Sequence, residues 1–272
     1  MDGSYAPLPA LSAGGLRSAR QLVQRRGRQH QDAFLAEGPQ AVREALETPD
    51  EVTMLIVGED ALAIDAVRGL VEHAMQTGVR TASVPAPDLA ALSDTVHAQG
   101  IVAVCRQRHP GLDDVREVRL VLVCDQVRDP GNVGTMIRAA DAFGADAVVL
   151  TSGCVEPWNP KAVRASTGSL FHLPVVADVP FDDVVAWLHG RGAQVLAADA
   201  NGEPLDSLAR AGVLSGPVGW VVGNEAWGFG AGDLTACDRV VSVPMWGRAE
   251  SLNAASAIAV CLYQTAVAQH AS

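Results

Sequence analysis

The stretch RLVLVCDQVRDPGNVGTMIRAADAFGA, Arg119 to Ala145, decides the architecture of this chain. It opens on a near-continuous apolar run at 119–124, the pattern of a strand buried on both faces. Asp129, Pro130, Gly131 and Asn132 follow with strong turn chemistry, and Asn132 stands where it could cap the next helix. In that helix, expected over 132–143, Met136, Ala140 and Phe143 share one face, and Gly144 ends it. Arg138 lies two residues from Met136, about 200° around the helix, and so points away from the core stripe. It reads either as a plain surface arginine or as a cation aimed at an anion from the ligand end of a sheet.

Working outward, the same alternation continues. Strands are expected at 119–124, 146–150, 173–176, 194–197, 219–223 and 240–244, with helices near 132–143, 160–168, 181–190, 204–210 and 252–268. Apolar strands alternating with helices predict an α/β domain with a mostly parallel sheet covered on both faces. Toward the N-terminus lies a smaller α/β pattern. It has a basic helix over 16–30, a strand and turn at FLAEGP (34–39), helices at 40–47, 61–77 and 87–93, and strands at 52–57, 81–85 and 101–104. The Pro/Gly/Asp-rich RHPGLDD (108–114) reads as a linker. The expected organisation is a disordered tail over 1–15, a basic helix and small domain over 16–107, a linker over 108–116 and a second domain over 117–272.

Composition narrows the class. Of 272 residues 49% are hydrophobic and 19% charged, which excludes a disordered chain. No apolar run approaches the ~18–20 residues that span a bilayer, and the first fifteen residues lack the pattern of a secretory signal; the cytoplasm is the expected compartment. Five cysteines without a C-x-x-C pair argue against a disulfide framework or a metal ribbon, so no metal is expected. The net charge of −11 argues against non-specific coating of nucleic acid. Against that background, Arg17, Arg20, Arg25, Arg26 and Arg28 cluster within 16–31 with no acid between them. The cluster reads as a solvated surface or as an arm that contacts phosphates.

Ligands of parallel sheets sit beyond the carboxyl ends of the strands, so the loops there carry most information. GWVVGNEAWGFG (219–230) runs a buried strand into Gly223, Asn224 and Glu225. Gly223 permits close approach of a ligand to the backbone, and a carboxylate at a strand end is costly unless exposed, paired or used. Gly228, Gly230 and Gly232 imitate a dinucleotide fingerprint, but no strand directly precedes them and the G-x-G-x-x-G spacing is absent. VSVPMWGRAESLNAASAIAVCLYQTA (241–266) leads through Val243, Met245, Ser251, Leu252 and Asn253 into a final helix rich in small residues. Ser251 or Asn253 can cap that helix, and its small face suits close packing or a helix-pair contact between two copies.

Taken in order, N-x-G-x-x-x-R-x-A-x-x-F-G, V-V-G-N-E-x-x-G-F and V-P-M-x-G-x-x-E-S-L-N resemble the three motifs of the SpoU/TrmH family of RNA 2′-O-ribose methyltransferases. The basic segment followed by FLAEGPQAVREAL is similar to the substrate-binding domain of its ribosomal RNA members. The resemblance implies a deep trefoil knot in the second domain, binding of S-adenosyl-L-methionine and a homodimer through that domain. It places Gly223, Asn224, Val243, Met245, Leu252 and Asn253 against the methyl donor, and makes Asn132, Arg138, Glu225, Ser251 and Asn253 the catalytic set. Val243 replaces a frequent Ile, and Ala226 and Trp227 replace a smaller or glycine-containing pair.

The function so implied is methylation of a ribose 2′-hydroxyl in structured RNA, foremost 23S ribosomal RNA, as housekeeping or as antibiotic resistance. The alternatives are a tRNA 2′-O-methyltransferase and a catalytically silent RNA-binding factor. The family proposal makes the first-motif arginine, here Arg138, the proton acceptor. A guanidinium holds its proton so tightly that populating the neutral form at pH 7 costs about 8 kcal/mol, so a phosphate clamp that positions the ribose is the competing role for Arg138.

Overall fold

A computed structural model of the protein describes residues 7–93, 99–230 and 233–271. Residues 1–6 of the expected tail, and Gly232 of the glycine series, lie outside the described residues. The chain divides into two compact units: 1–107 with 158–171, and 108–157 with 172–272.

The first unit opens with α1 (Ala13–Gln21) and α2 (Arg25–Gln31), followed by β1 (Ala33–Glu37) and α3 (Pro39–Leu46). Then come β2 (Val52–Gly58), α4 (Asp65–Gln76), β3 (Thr81–Val84), α5 (Ala86–Ala90) and β4 (Ile101–Arg106). The sheet order is β1-β4-β2-β3, with β4 antiparallel to both neighbours and β2 parallel to β3. Leu22, Leu35, Ile56, Val102 and Leu89 pack together under α1. Two expectations are corrected here. The basic helix is broken in two at Leu22–Gln24, because Gln24 takes an extended conformation. The residues before 16 are not all a loose tail: Ser83 donates its N–H to Pro9 O and Leu11 donates to Ser83 O, so the segment lies along β3.

The second unit contains β5 (Leu120–Cys124), α6 (Pro130–Ala142), β6 (Ala147–Thr151), β7 (Val175–Val179), α8 (Phe181–Gly190) and β8 (Gln194–Pro204). It ends with α9 (Leu205–Arg210), β9 (Val218–Val222), α10 (Asp233–Ala236), β10 (Arg239–Ser242) and α11 (Ala254–His270). All pairings in its six-stranded sheet are parallel, in the order β10-β8-β9-β5-β6-β7. The remaining helix, α7 (Pro160–Ser166), packs on β1 of the first unit, where Phe171 stacks on Phe34 at 5.9 Å. The expected 117–272 block therefore gives up 158–171 to the first unit.

Valines dominate the second core: Val121, Val123, Val149, Val195 and Val221 are fully buried. On the other face the buried Trp220 of β9 donates Nε1–H to Thr265 Oγ1 at 2.9 Å, and Thr265 in turn donates to Cys261 O. That pair seats α11 against the sheet and so fixes where its N-terminus points.

Candidate active site

Strand order reverses between β5 and β9, a topological switch point of the kind where parallel sheets bind ligands. The loops leaving these adjacent strands carry Asn132 and Glu225. Asp129, not Asn132, caps α6: its Oδ1 accepts from Asn132 N at 2.9 Å, and Pro130 occupies the first helical position. With Asp129 as the cap, the Asn132 side chain is left available for other contacts. Its Nδ2 donates to Glu225 Oε1 at 2.7 Å. Its Oδ1 accepts from Asn253 Nδ2 at 3.1 Å. Asn253 Oδ1 accepts from Ala255 N at 2.9 Å and Ser256 N at 3.3 Å, which caps α11. Glu225 Oε1 accepts at one end and the α11 amides donate at the other, so both asparagine amides are held in one orientation.

The Glu225 loop is tight. Asn224 and Gly228 exchange two backbone hydrogen bonds, 2.8 and 2.9 Å, and Gly228 takes φ +69°. A Cβ on Gly223 would lie 2.7 Å from Gly228 O, so this glycine serves the closure of its own loop rather than ligand approach alone. Asn224 is buried; its Nδ2 donates to Gln126 O and its Oδ1 accepts from Ala226 N. Its side chain therefore ties the two loops together.

A cavity of about 540 Å³ opens over these groups, within the ~300–1,000 Å³ typical of ligand sites. Gly223, Asn224, Val243, Met245, Leu252 and Asn253, the residues expected to meet the donor, all line it. Asn132, Glu225 and Ser251 do as well. Arg138 does not: it is exposed on α6, six residues or ~9 Å of helix rise beyond Asn132. Sequence reasoning does not reach Asp199. It follows β8 residues 194–198, which pair with β9, and its Oδ1 turns back on Asn201 N. An acid just beyond the apolar run 195–198 and two residues before Asn-Gly is the signal that could have found it.

The charged side chains among the cavity's lining residues are Asp199 and Glu225, both acids. Val243, Met245 and Leu252 supply apolar wall. A sulfonium ligand with an adenine ring meets both requirements, so the residues present fit S-adenosyl-L-methionine.

Behind the site, Asp125 is buried at the end of β5, and Thr151 Oγ1 donates to its Oδ1 at 2.8 Å. Its Oδ2 is buried and meets no donor among the described residues. Burial pushes the Asp125 carboxyl up, and the neighbouring Asp233 carboxylate adds to the rise against the opposing Thr151 bond. Burial also pushes the thiols up, Cys154 to about 11 and Cys237 and Cys261 to about 12. Such thiols are poor nucleophiles.

In the first unit the basic cluster separates into two kinds of residue. Arg17, Arg20, Arg25 and Arg26 are exposed, and Arg20 pairs with Asp88 at 2.7 Å. Arg28 is 2% exposed, and its Nη1 donates to Leu22 O and Val23 O, both at 2.8 Å. Its expected RNA contact is corrected: the guanidinium closes the carboxyl end of α1. Among the described residues no group of three or more His, Cys, Asp or Glu is placed to hold a metal, and no helix is long and apolar enough to cross a membrane.

Residues 119–263 match the SpoU rRNA Methylase family, and residues 15–103 match the MRM3-like substrate binding domain. The chain belongs to the SpoU rRNA Methylase family. It is 35% identical to the Bacillus subtilis 23S rRNA (guanosine(2553)-2′-O)-methyltransferase RlmP over 90% of this chain and 92% of that protein. Its fold is similar to the SpoU methyltransferase AviRb of Streptomyces viridochromogenes, solved in complex with AdoMet, at 29% identity and TM-score 0.80 over 96% and 99% of the two chains. It is also similar to an AdoMet-bound rRNA methyltransferase of Sinorhizobium meliloti, at 27% identity and TM-score 0.80 over 96% and 97%.

Proposed function

We propose that this chain transfers a methyl group from S-adenosyl-L-methionine to a ribose 2′-hydroxyl of 23S ribosomal RNA. The observation that carries this reading is the Glu225–Asn132–Asn253 hydrogen-bonded chain on the wall of a cavity whose charged lining is acidic. Gly223, Val243, Met245 and Leu252 hold the donor, and Asp199 and Glu225 favour its positive charge. When bound, the donor supplies an electrophilic methyl on sulfur. The hydroxyl is the weak partner, and the protein must align it and accept its proton. Asn132, braced from both sides, presents a fixed amide at the switch point, and Arg138 approaches from the exposed face of α6 as proton acceptor or phosphate clamp.

The same reading covers substrate capture and assembly. The exposed Arg17, Arg25 and Arg26 contact phosphate in the first unit. Val260, Tyr263 and Val267 are 42%, 55% and 43% exposed at i, i+3 and i+7 on α11, an apolar stripe that suits a homodimer contact. After β9 the chain passes beyond β8 to form β10 and then returns in α11 to pack on β9 and α6, a path that supports the knot implied by the family. The compartment is the cytoplasm.

The test is calorimetry with S-adenosyl-L-methionine, followed by labelled-methyl transfer to separated 23S, 16S and transfer RNA. Donor binding with label in 23S RNA supports the reading. Donor binding without transfer to any RNA identifies a silent RNA-binding factor instead, and label confined to transfer RNA identifies the tRNA enzyme.

A further inference from the structure

Trp227 is 51% exposed, although it stands two residues from Glu225. It is not on a loose loop. The Asn224–Gly228 backbone pair closes the turn beneath it, and Ala226 N donates to Asn224 Oδ1 at 2.9 Å. The Arg128 guanidinium lies over the ring, 4.8 Å from its centroid. Arg128 directly precedes Asp129, the cap of α6. The two loops that bring Glu225 and Asn132 together, already joined by Asn132–Glu225 and Asn224–Gln126, are therefore joined a third time by a cation–π stack. An aromatic ring has two faces. Arg128 lies over one of them, and Trp227 as a whole is half-exposed.

We propose that Trp227, braced by Arg128, is a stacking platform for the base of the nucleotide whose ribose is methylated. This rests on the reading of the site as an RNA 2′-O-methyltransferase. The reacting hydroxyl must reach Asn132 and Glu225, and the base is carried one ring atom away from the carbon bearing that hydroxyl. A structured RNA presents a ribose to a cavity most readily when its base leaves the helical stack. The base then needs a flat apolar partner, and stacking on an aromatic side chain serves any base. The adjacent cation suits the phosphate next to that nucleotide. Trp227 thus positions the substrate, and the Glu225–Asn132–Asn253 chain is left to the reacting atoms.

The experiment uses the full-length chain with an RNA fragment spanning the mapped methylation site, carrying either the normal nucleotide or an abasic ribose at that position. Trp227→Ala is expected to raise KM for the normal fragment about ten-fold or more, the range of one lost base stack, with the donor Kd unchanged by calorimetry. Trp227→Phe recovers most of the loss. The wild-type chain loses a comparable factor on the abasic fragment, and Trp227→Ala loses little more there. An unchanged KM in Trp227→Ala overturns the proposal. So does a Trp227→Ala defect that persists in full on the abasic fragment, since Trp227 then only closes the loop, or a weakened donor Kd, which places it in the donor wall. If the wild-type chain transfers no methyl group to any RNA, the enzyme reading fails and takes this one with it. If transfer occurs and Trp227→Ala is normal, only the platform fails.

Discussion

Asn132 Nδ2 donates to Glu225 Oε1 at 2.7 Å, joining two strand-end loops that are 93 residues apart in the chain. Because Asn132 also accepts from Asn253, one side chain links three of the segments that line the cavity. The arrangement depends on Asp129 capping α6 in its place.

Replacing that side chain separates its role from the role of Arg138. Asn132→Asp sets a carboxylate against Glu225 and is expected to reduce methyl transfer roughly a hundred-fold or more, as loss of a fixed donor does. Arg138→Ala is expected to abolish transfer while the donor Kd stays within a few-fold, since Arg138 does not line the cavity. Arg138→Lys distinguishes the two roles. A lysine ammonium gives up its proton far more readily than a guanidinium, so a proton acceptor would shift the pH–rate profile to lower pH. A phosphate clamp would lower the rate at every pH with the profile unmoved.

Salt titration of RNA binding sorts the basic segment. Replacing Arg17, Arg25 and Arg26 together is expected to flatten the slope of log K on log salt by ~0.7–0.9 for each phosphate no longer neutralised. Arg28→Ala is expected to leave that slope alone and to destabilise the first unit by about 2–3 kcal/mol, because one buried and one part-buried carbonyl are deprived of their donor. A changed slope in Arg28→Ala would return that residue to the RNA surface.

Much of this is legible in the sequence, and the exceptions have physical causes. The strands at 120–124 and 218–222 are apolar throughout because helices cover both faces of their sheet, and a run with no polar interruption marks them clearly. The cap of α6 falls three residues before the position the sequence suggests. Asp129 and Asn132 are both good caps, and the deciding feature is Pro130, which belongs at the first helical position. The burial of Arg28 is illegible, since arginine is rarely buried and its carbonyl partners come from the turn that breaks the basic helix. Nor does helical periodicity at 160–166 say which sheet it covers.

Sedimentation tests the α11 stripe. The chain is expected to run at about twice its 28.3 kDa mass at micromolar concentration. Val260→Glu with Val267→Glu should give a monomer, because two like charges would then face their symmetry mates. A fully active wild-type monomer at that concentration would remove the dimer from the account.

The Asp125 carboxyl is pushed up in the folded chain relative to an ordinary aspartate. The folded state therefore holds this proton more tightly than the unfolded state. The stabilising contribution is complete below the unfolded pKa and is lost as pH rises through the raised one. Asp125→Asn can still accept from Thr151 and can donate to Asp233, so it is expected to raise the melting temperature more at pH 7 than at pH 4. An equal or smaller gain at pH 7 would contradict the direction of the shift.

The central claim is methylation of a ribose in 23S ribosomal RNA, and it is tested most directly by mapping 2′-O-methyl positions in that RNA from cells with and without the gene. The account predicts a position that is resistant to alkaline cleavage only when the gene is present. That position is restored by the wild-type chain and not by Asn132→Asp. Identical 23S methylation with and without the gene would contradict it.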